Sequence, residues 1–311
     1  MAVNATPPGT VGVIIVNWNG AEDTITCLRS LANVEEETRE EQTRAYVVDN
    51  GSTDDSVQAI KSRVVGVEVV EVGANRGYAG GFNAGRKRAL ADGVDFLWLL
   101  NNDTFVEPGA LAALLDAAER LGPGIYAPKI VMRDRPDMLW FAGGTLAPHL
   151  KAHHKGRGER DLGQYDHLST TAWATGCSLL VSSADAYALG PMDEDYFLYL
   201  EDVDWCLRAR DLGIPTYFVP LARISHGVSR SVRHLDPRAV RYYAWRNYYM
   251  LVARHGSRRE QLAASADLCL RLAKTAVRYS YFPNYPSNRL YQARTRALLD
   301  VVRGRVGPAP W

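Results

Sequence analysis

Over the first 125 residues, short apolar runs alternate with amphipathic stretches. Val11–Asn17 is a continuous β-branched run, the pattern of a strand buried on both faces, and Ala45–Asp49, Val67–Val72 and Phe96–Leu100 repeat it. Between these runs, Glu22–Asn33 places Ile25, Leu28 and Leu31 at helical spacing, and Gly80–Ala91 reads as a second helix. Asp54–Ser62 reads as another, capped by Ser52 or Thr53, and Pro108–Leu121 keeps a helical period with Pro near its first turn. Strand and helix in alternation predict an α/β fold, a Rossmann-like, mostly parallel sheet with helices on both faces. The Asp- and Asn-rich segments fall directly after strands, and open sheets of this kind bind ligands at the carboxyl ends of their strands.

From Tyr126 the rhythm changes. Met138–Phe141, Ser178–Ser182 and Thr216–Val219 are short apolar runs separated by Gly, Pro and charges, which predicts a mixed region with antiparallel strands. Arg238–Gly256, dense in Tyr and Trp, then Glu260–Tyr279 and Asn288–Arg303 read as helices. The expected organisation is one compact catalytic domain over 1–237, whose pattern changes near residue 125. A helical extension over 238–311 follows it.

A formal net charge of +1 argues against a nucleic-acid partner, which needs Lys and Arg in clustered excess. The average conceals a basic C-terminal part, where an amphipathic surface rich in Arg and aromatics admits peripheral contact with an anionic membrane. Packing of those helices on the catalytic domain, or on a second copy in a homodimer, is the reading preferred. Cys27, Cys177, Cys206 and Cys269 form no CxxC pair, which fits free thiols in a reducing cytoplasm rather than a zinc site. Met1–Thr10 lacks the charge and apolar core of a signal peptide, and no run of 18 apolar residues occurs. A cytoplasmic protein, peripheral at most to the inner face of the membrane, is expected.

Two acidic segments carry candidate chemistry. In Asn101-Asn102-Asp103-Thr104, a carboxylate at the end of a buried strand suits a hard divalent cation that takes phosphate oxygens in its open positions, although such a segment also serves as an Asx-turn. In Glu201-Asp202-Val203-Asp204, three acids stand beside an aromatic run and are costly to bury unless paired or used. As the start of a helix, this segment puts Asp202 in a cleft as general base and pairs Asp204 or Glu201 with Arg208. His226 gains meaning only beside Asp103, as a metal ligand. The glycines of Asn75–Gly85 allow a diphosphate to approach a helix N-terminus. Asn17-Trp18-Asn19-Gly20 stands where a dinucleotide fingerprint would be, so a nicotinamide-binding domain is disfavoured.

Taken in order, Val13–Asn19, Val47–Asp54, Asn75–Gly85, Trp98–Thr104 and Met192–Arg208, with His226 downstream, resemble the family 2 glycosyltransferases, especially their rhamnosyltransferase-like branch. The resemblance covers roughly Val11 to Asn247, with a weaker echo in Arg303–Gly307. It implies a GT-A fold, with a nucleotide-binding half over 11–125 and an acceptor-binding half over 126–237. It also implies an inverting transferase that moves a sugar from a nucleotide-diphosphate donor to a hydroxyl of a saccharide or lipid-linked glycan, with Mn²⁺ or Mg²⁺. By the family's pattern Asn17, Trp18, Asp49, Asn75, Gly77 and Asn102 frame the nucleotide, while Asp103 and His226 hold the metal. Asn101 replaces the first acid of the family's DxD motif, a mark shared with that branch. Asp202 matches the catalytic base, and Glu201 helps to place the acceptor or tunes Asp202. Thr175, Gly176 and Cys177 match the stretch lining the sugar pocket, and Trp140, Trp173 and Tyr199 offer flat faces to pyranose rings. Branch similarity favours a dTDP-linked deoxyhexose such as rhamnose, with UDP-linked hexoses as the other choice. A nucleotidyltransferase would need a Gly-rich basic loop after the first strand, and a degenerate scaffold would not keep Asp103, Asp202 and His226 together.

Overall fold

The computed structural model describes residues 9–38, 43–227, 236–281 and 289–310, so most of the Met1–Thr10 segment lies outside them. In chain order the first half runs β1 (Val11–Asn17), α1 (Ala21–Thr38), β2 (Thr43–Asp49), α2 (Ser56–Arg63), β3 (Val67–Glu71), α3 (Gly77–Ala91), β4 (Phe96–Asn101), β5 (Thr104–Val106) and α4 (Ala110–Leu121). The second half runs β6 (Ile125–Met132), β7 (Arg135–Phe141), β8 (Gly144–Ala147), β9 (Lys151–His154), β10 (Ser169–Thr170), β11 (Ser178–Ser182), α5 (Ser183–Leu189), α6 (Glu201–Asp211) and β12 (Thr216–His226). Three helices close the chain: α7 (Pro237–His255), α8 (Arg258–Tyr281) and α9 (Arg289–Val302).

The central sheet has the order β10-β12-β6-β11-β4-β1-β2-β3, with β5 on β12 and β7 on β6. β3, β2, β1 and β4 are all parallel, whereas β11 enters antiparallel to both β4 and β6. The continuous apolar run of β1 is explained by its two faces. Val11, Val13 and Ile15 pack with Ile25, Leu28, Ile60 and Leu114 of α1, α2 and α4, while Ile14 packs with Phe82 and Trp205 of α3 and α6. Helix α3 lies close on the sheet because a Cβ at Gly85 would meet Ile14 Cγ2 at 2.5 Å.

Several expected boundaries move, each for a local reason. Helix α2 begins at Ser56 and Asp55 makes no side-chain cap; Ser52 and Thr53 are instead bonded to Asp49 and Asn19. Helix α4 begins at Ala110 because Gly109 takes a left-handed conformation and leaves Pro108 in the turn. The expected strand at Thr216–Val219 continues to His226 through an irregularity between Val219 and Arg223, next to Pro220, which has no N–H to give the ladder. Strands β5 and β6 were not anticipated.

The aromatics of α7 bury Tyr242, Tyr243 and Tyr249, and the Tyr242 hydroxyl donates to Asp300 Oδ2 of α9 at 3.0 Å. Tyr242 and Tyr243 also pack against Phe197, Leu198 and Tyr199 ahead of α6, so packing on the catalytic part accounts for much of this aromatic density. No helix among the described residues is long and apolar enough to cross a membrane.

Candidate active site

At the carboxyl ends of the parallel strands, register aligns Asn17 with Asp49 and Val16 with Asn101. Asn17 donates to Asp49 Oδ1 at 3.2 Å and accepts from Thr24 at 2.8 Å, and Asn102 donates to Thr24 at 3.3 Å. A chain of polar groups thus crosses β2, β1 and the end of β4, with Trp18 half-buried beside it. Asn50 extends this chain, donating to the Gly77 carbonyl at 2.9 Å and accepting from the Arg76 amide at 3.1 Å. Asn75 caps the same turn by accepting from Gly77 N at 2.9 Å. Gly77 needs its missing Cβ: its φ is +73°, and a Cβ would stand 2.2 Å from the Phe197 carbonyl oxygen. The glycine-rich turn therefore touches the segment that leads into Glu201 and Asp202.

Strand pairing brings the second group together. Thr104 opens β5 opposite His226 at the end of β12, and the Gly227 amide donates to the Asp103 carbonyl at 2.9 Å. Asp103 and His226 are both buried, with Oδ1 and Nε2 3.0 Å apart. This spacing is that of an ion pair, yet Asp103 Oδ1 and His226 Nδ1 have no hydrogen-bond partner. A buried carboxylate oxygen left unbonded is costly. An unbonded carboxylate oxygen beside an imidazole nitrogen fits a shared cation, and Mg²⁺ or Mn²⁺ held by few protein ligands would complete its shell with phosphate and water. No cluster of three or more His, Cys, Asp or Glu suited to a metal occurs among the described residues.

Helix α6 delivers the third group. Asp202 is partly exposed, and its two carboxylate oxygens accept from Gly176 N and Val203 N, each at 2.8 Å. Glu201 is buried beside it and its Oε2 has no partner. Burial, then the neighbouring Asp202, pushes the Glu201 carboxyl well above its usual range; burial also raises Asp202, against the pull of its amide partners. Burial and its acidic neighbour thus disfavour the charged form of Glu201, whereas two amide donors favour that of Asp202. Asp204 is different: His255 at 2.8 Å and Arg208 at 3.0 Å outweigh its burial and hold it below the usual carboxylate range. The i, i+4 partner of Arg208 is thus Asp204, a structural ion pair.

A stability consequence follows for Glu201. An acid raised in the fold binds its proton more tightly folded than unfolded, so stability is fully present below the ordinary Glu range and is lost as pH rises toward the folded value. Glu201→Gln mimics the protonated form, so its melting temperature relative to wild type is expected to climb by a few degrees between pH 4.5 and 8. Parallel melting curves across that range would refute the assignment.

Tyr78, which the sequence did not single out, stands where the groups converge. Its hydroxyl donates to the Gly176 carbonyl, and burial first, then Cys177, Glu201, Asp202 and Asp103, raises it well above the usual phenol range. Thr175 is buried and accepts from Cys177 N, whose thiol burial raises well above the ordinary range and leaves an inert wall. Trp140 meets His226 edge-on at a ring-centroid distance of 4.4 Å. Trp173 is packed in the core with its N–H on the Thr145 carbonyl at 3.2 Å, and offers no open face. A cavity of about 490 Å³ lined by Arg86, Lys87, Leu90 and Tyr187 lies near the opposite end of β4, away from these groups.

The model of the family described as glycosyl transferase family 2 matches residues 12–180. The chain is 30% identical over 239 residues to the N-acetylglucosaminyl-diphospho-decaprenol L-rhamnosyltransferase of Mycobacterium tuberculosis, covering 67% of this chain and 74% of the relative. It is 24% identical over 300 residues to the dTDP-rhamnosyl transferase RfbF of Shigella flexneri, across 90% of this chain and 93% of that one. Among solved structures, the mannosyltransferase PcManGT from Pyrobaculum calidifontis, in complex with GDP-Man and Mn²⁺, superposes with a TM-score of 0.59 at 16% identity, covering 96% of this chain and 88% of that one.

Proposed function

The chain belongs to glycosyl transferase family 2, and from that premise we propose that this glycosyltransferase moves a dTDP-linked deoxyhexose such as rhamnose, with inversion, onto a hydroxyl of a lipid-linked glycan. The observation that carries the mechanism is the placement of Glu201 and Asp202, the first buried with its carboxyl held well above the usual range, the second partly exposed and fixed by two amides. Asp202 takes the proton of the acceptor hydroxyl as that oxygen bonds to the anomeric carbon. The bond from this carbon to the diphosphate breaks on the opposite face, and the nucleoside diphosphate leaves with the bonding pair. Asp49, Asn17, Trp18 and Asn102 frame the nucleoside, Asn75 and Gly77 present the N-terminus of α3 to the diphosphate, and Thr175, Gly176 and Cys177 wall the sugar. Asp103 and His226 would hold a divalent cation, which supplies positive charge to the departing diphosphate. This reading makes 1–237 the catalytic part and 238–311 an extension. The extension bears fourteen Lys and Arg against three acids. Exposed Leu262, Leu270 and Val277 on α8 add an apolar stripe that suits peripheral contact with an anionic membrane carrying the acceptor.

A thermal-shift screen of dTDP-, UDP- and GDP-sugars with Mn²⁺ or Mg²⁺ tests the donor class. At about a hundred times its dissociation constant, the true donor is expected to raise the melting temperature by about 3–5 °C, and only with metal. A shift from a UDP-hexose alone would replace the donor; no shift from any nucleotide sugar would refute the transferase reading.

A further inference from the structure

The segment that leads into the acidic pair is strained. Phe197, Tyr199 and Leu200 adopt φ values of +62°, +71° and +72°, a region that residues bearing a Cβ avoid. Such a backbone persists only where its surroundings determine it, and here the determinants lie in the C-terminal extension. Arg246 and Asn247 of α7 are fully buried. Asn247 Nδ2 reaches the carbonyl oxygens of Tyr196, Leu198 and Tyr199 at 2.9, 2.7 and 2.8 Å, while Arg246 Nη2 donates to those of Asp195 and Tyr196 at 2.8 and 2.9 Å. Arg246 Nε donates to Asn247 Oδ1 at 2.9 Å, which turns the amide so that its NH₂ faces the loop. The chain end closes the arrangement, since Gly307 accepts from Arg246 Nη1 and gives its own N–H to the Asp195 carbonyl at 3.1 Å. The two carbonyls left over go to Tyr78 N, at 2.7 Å from Phe197 O, and to the first helical bond of α6, from Asp204 N to Leu200 O. Every carbonyl from Asp195 to Leu200 therefore has a donor, and two adjacent side chains of the extension supply four of the six.

We propose that Arg246 and Asn247 are positioning residues for catalysis, a clamp that holds the left-handed turn and so sets Asp202 against the Gly176 amide. The proposal rests on the reading of Asp202 as base. With the clamp weakened, the turn relaxes to ordinary negative φ and rotates the peptide that enters α6. Asp202 then leaves the Gly176 N–H, which both displaces the base and removes a bond that favours its ionised form. The held turn does meet the glycine-rich turn, through Tyr78 N on the Phe197 carbonyl, but Gly77 is fixed on its other side by Asn50 and Asn75. Asn17 and Asp49 make no contact with the clamp, so donor binding is separable from this effect.

Asn247→Asp keeps the shape and replaces the donors by carboxylate oxygens facing three carbonyls; Arg246→Lys keeps the charge and loses the fork. For both, donor dissociation constant, kcat and the pH profile of kcat are measured beside Asp202→Asn. The expected result is donor affinity within about twofold of wild type, kcat lowered about 100-fold in Asn247→Asp, and an acid limb displaced toward higher pH. Arg246→Lys is expected to fall between it and wild type. Wild-type kcat and limb in either variant would overturn the clamp, as would losses of kcat matched by equal losses of donor binding in both, the mark of a general scaffold. Turnover retained in Asp202→Asn would instead refute the base assignment on which the clamp rests.

Discussion

Asp202→Asn is expected to bind the donor within about twofold of wild type and to lower kcat by about 10³-fold. The substitution is isosteric and keeps an oxygen to accept from Gly176 N, now 2.8 Å from Asp202 Oδ2. What disappears is the basic lone pair. No neighbour replaces it: Glu201 is buried and raised well above its usual range, and Asp204 is held by His255 and Arg208. Binding survives because none of the groups proposed to frame the nucleotide bonds to Asp202. The pH dependence has a defined sign. Activity falls as pH drops through the folded value of Asp202, and burial places that limb above the ordinary Asp range of about 3.9. Single-turnover rates beside equilibrium donor binding check both halves. A drop in donor affinity equal to the drop in rate would mean that Asp202 serves binding, and undiminished turnover would place the base elsewhere.

The readable part of the site is the part whose residues are local in sequence. Strands β1, β2 and β4 declare themselves as buried runs, and Asn17, Asp49 and Asp103 follow them at once, so their gathering at one edge of the sheet was legible from alternation alone. The Asp103–His226 pair was not legible that way and came only with the family resemblance. It depends on β5 pairing with β12 across more than a hundred residues, and β5 is three residues long with no periodicity to betray it. Ser52 and Thr53 carry the chemistry of helix caps, yet the turn uses their groups on Asp49 and Asn19 because the buried carboxylate needs donors more than α2 does. Trp173 has the size and planarity of a sugar platform and is core, since only the fold decides which face of a ring is covered. Arg246 and Asn247 stand out in the sequence as a family-like pair, but their role is not legible there. Their work is done on backbone carbonyls, which every sequence has and no sequence displays.

Chelation of divalent metal is expected to abolish transfer, and Asp103→Ala to lower kcat/KM about 10³-fold, whereas His226→Ala costs about tenfold. The asymmetry follows from charge. Asn101 stands where a second acid would add to the site, so Asp103 is the carboxylate of the pair and His226 a neutral ligand. Removing Asp103 takes away the protein's negative charge at the cation, and a hard ion then loses its strongest ligand while the diphosphate's own charge goes uncompensated. Removing His226 leaves that carboxylate in place, and water fills the vacated position at modest cost. The buried Oδ1 of Asp103 supplies a second readout that needs no substrate. Unbonded and 3.0 Å from His226 Nε2, it is a local electrostatic cost that a cation relieves. Mn²⁺ alone is therefore expected to raise the melting temperature of wild type, and the rise to vanish in Asp103→Ala. Transfer that persists in the presence of EDTA, with no Mn²⁺-dependent stabilisation, would show that Asp103 and His226 form a structural pair and that the diphosphate leaves with the help of the α3 N-terminus alone.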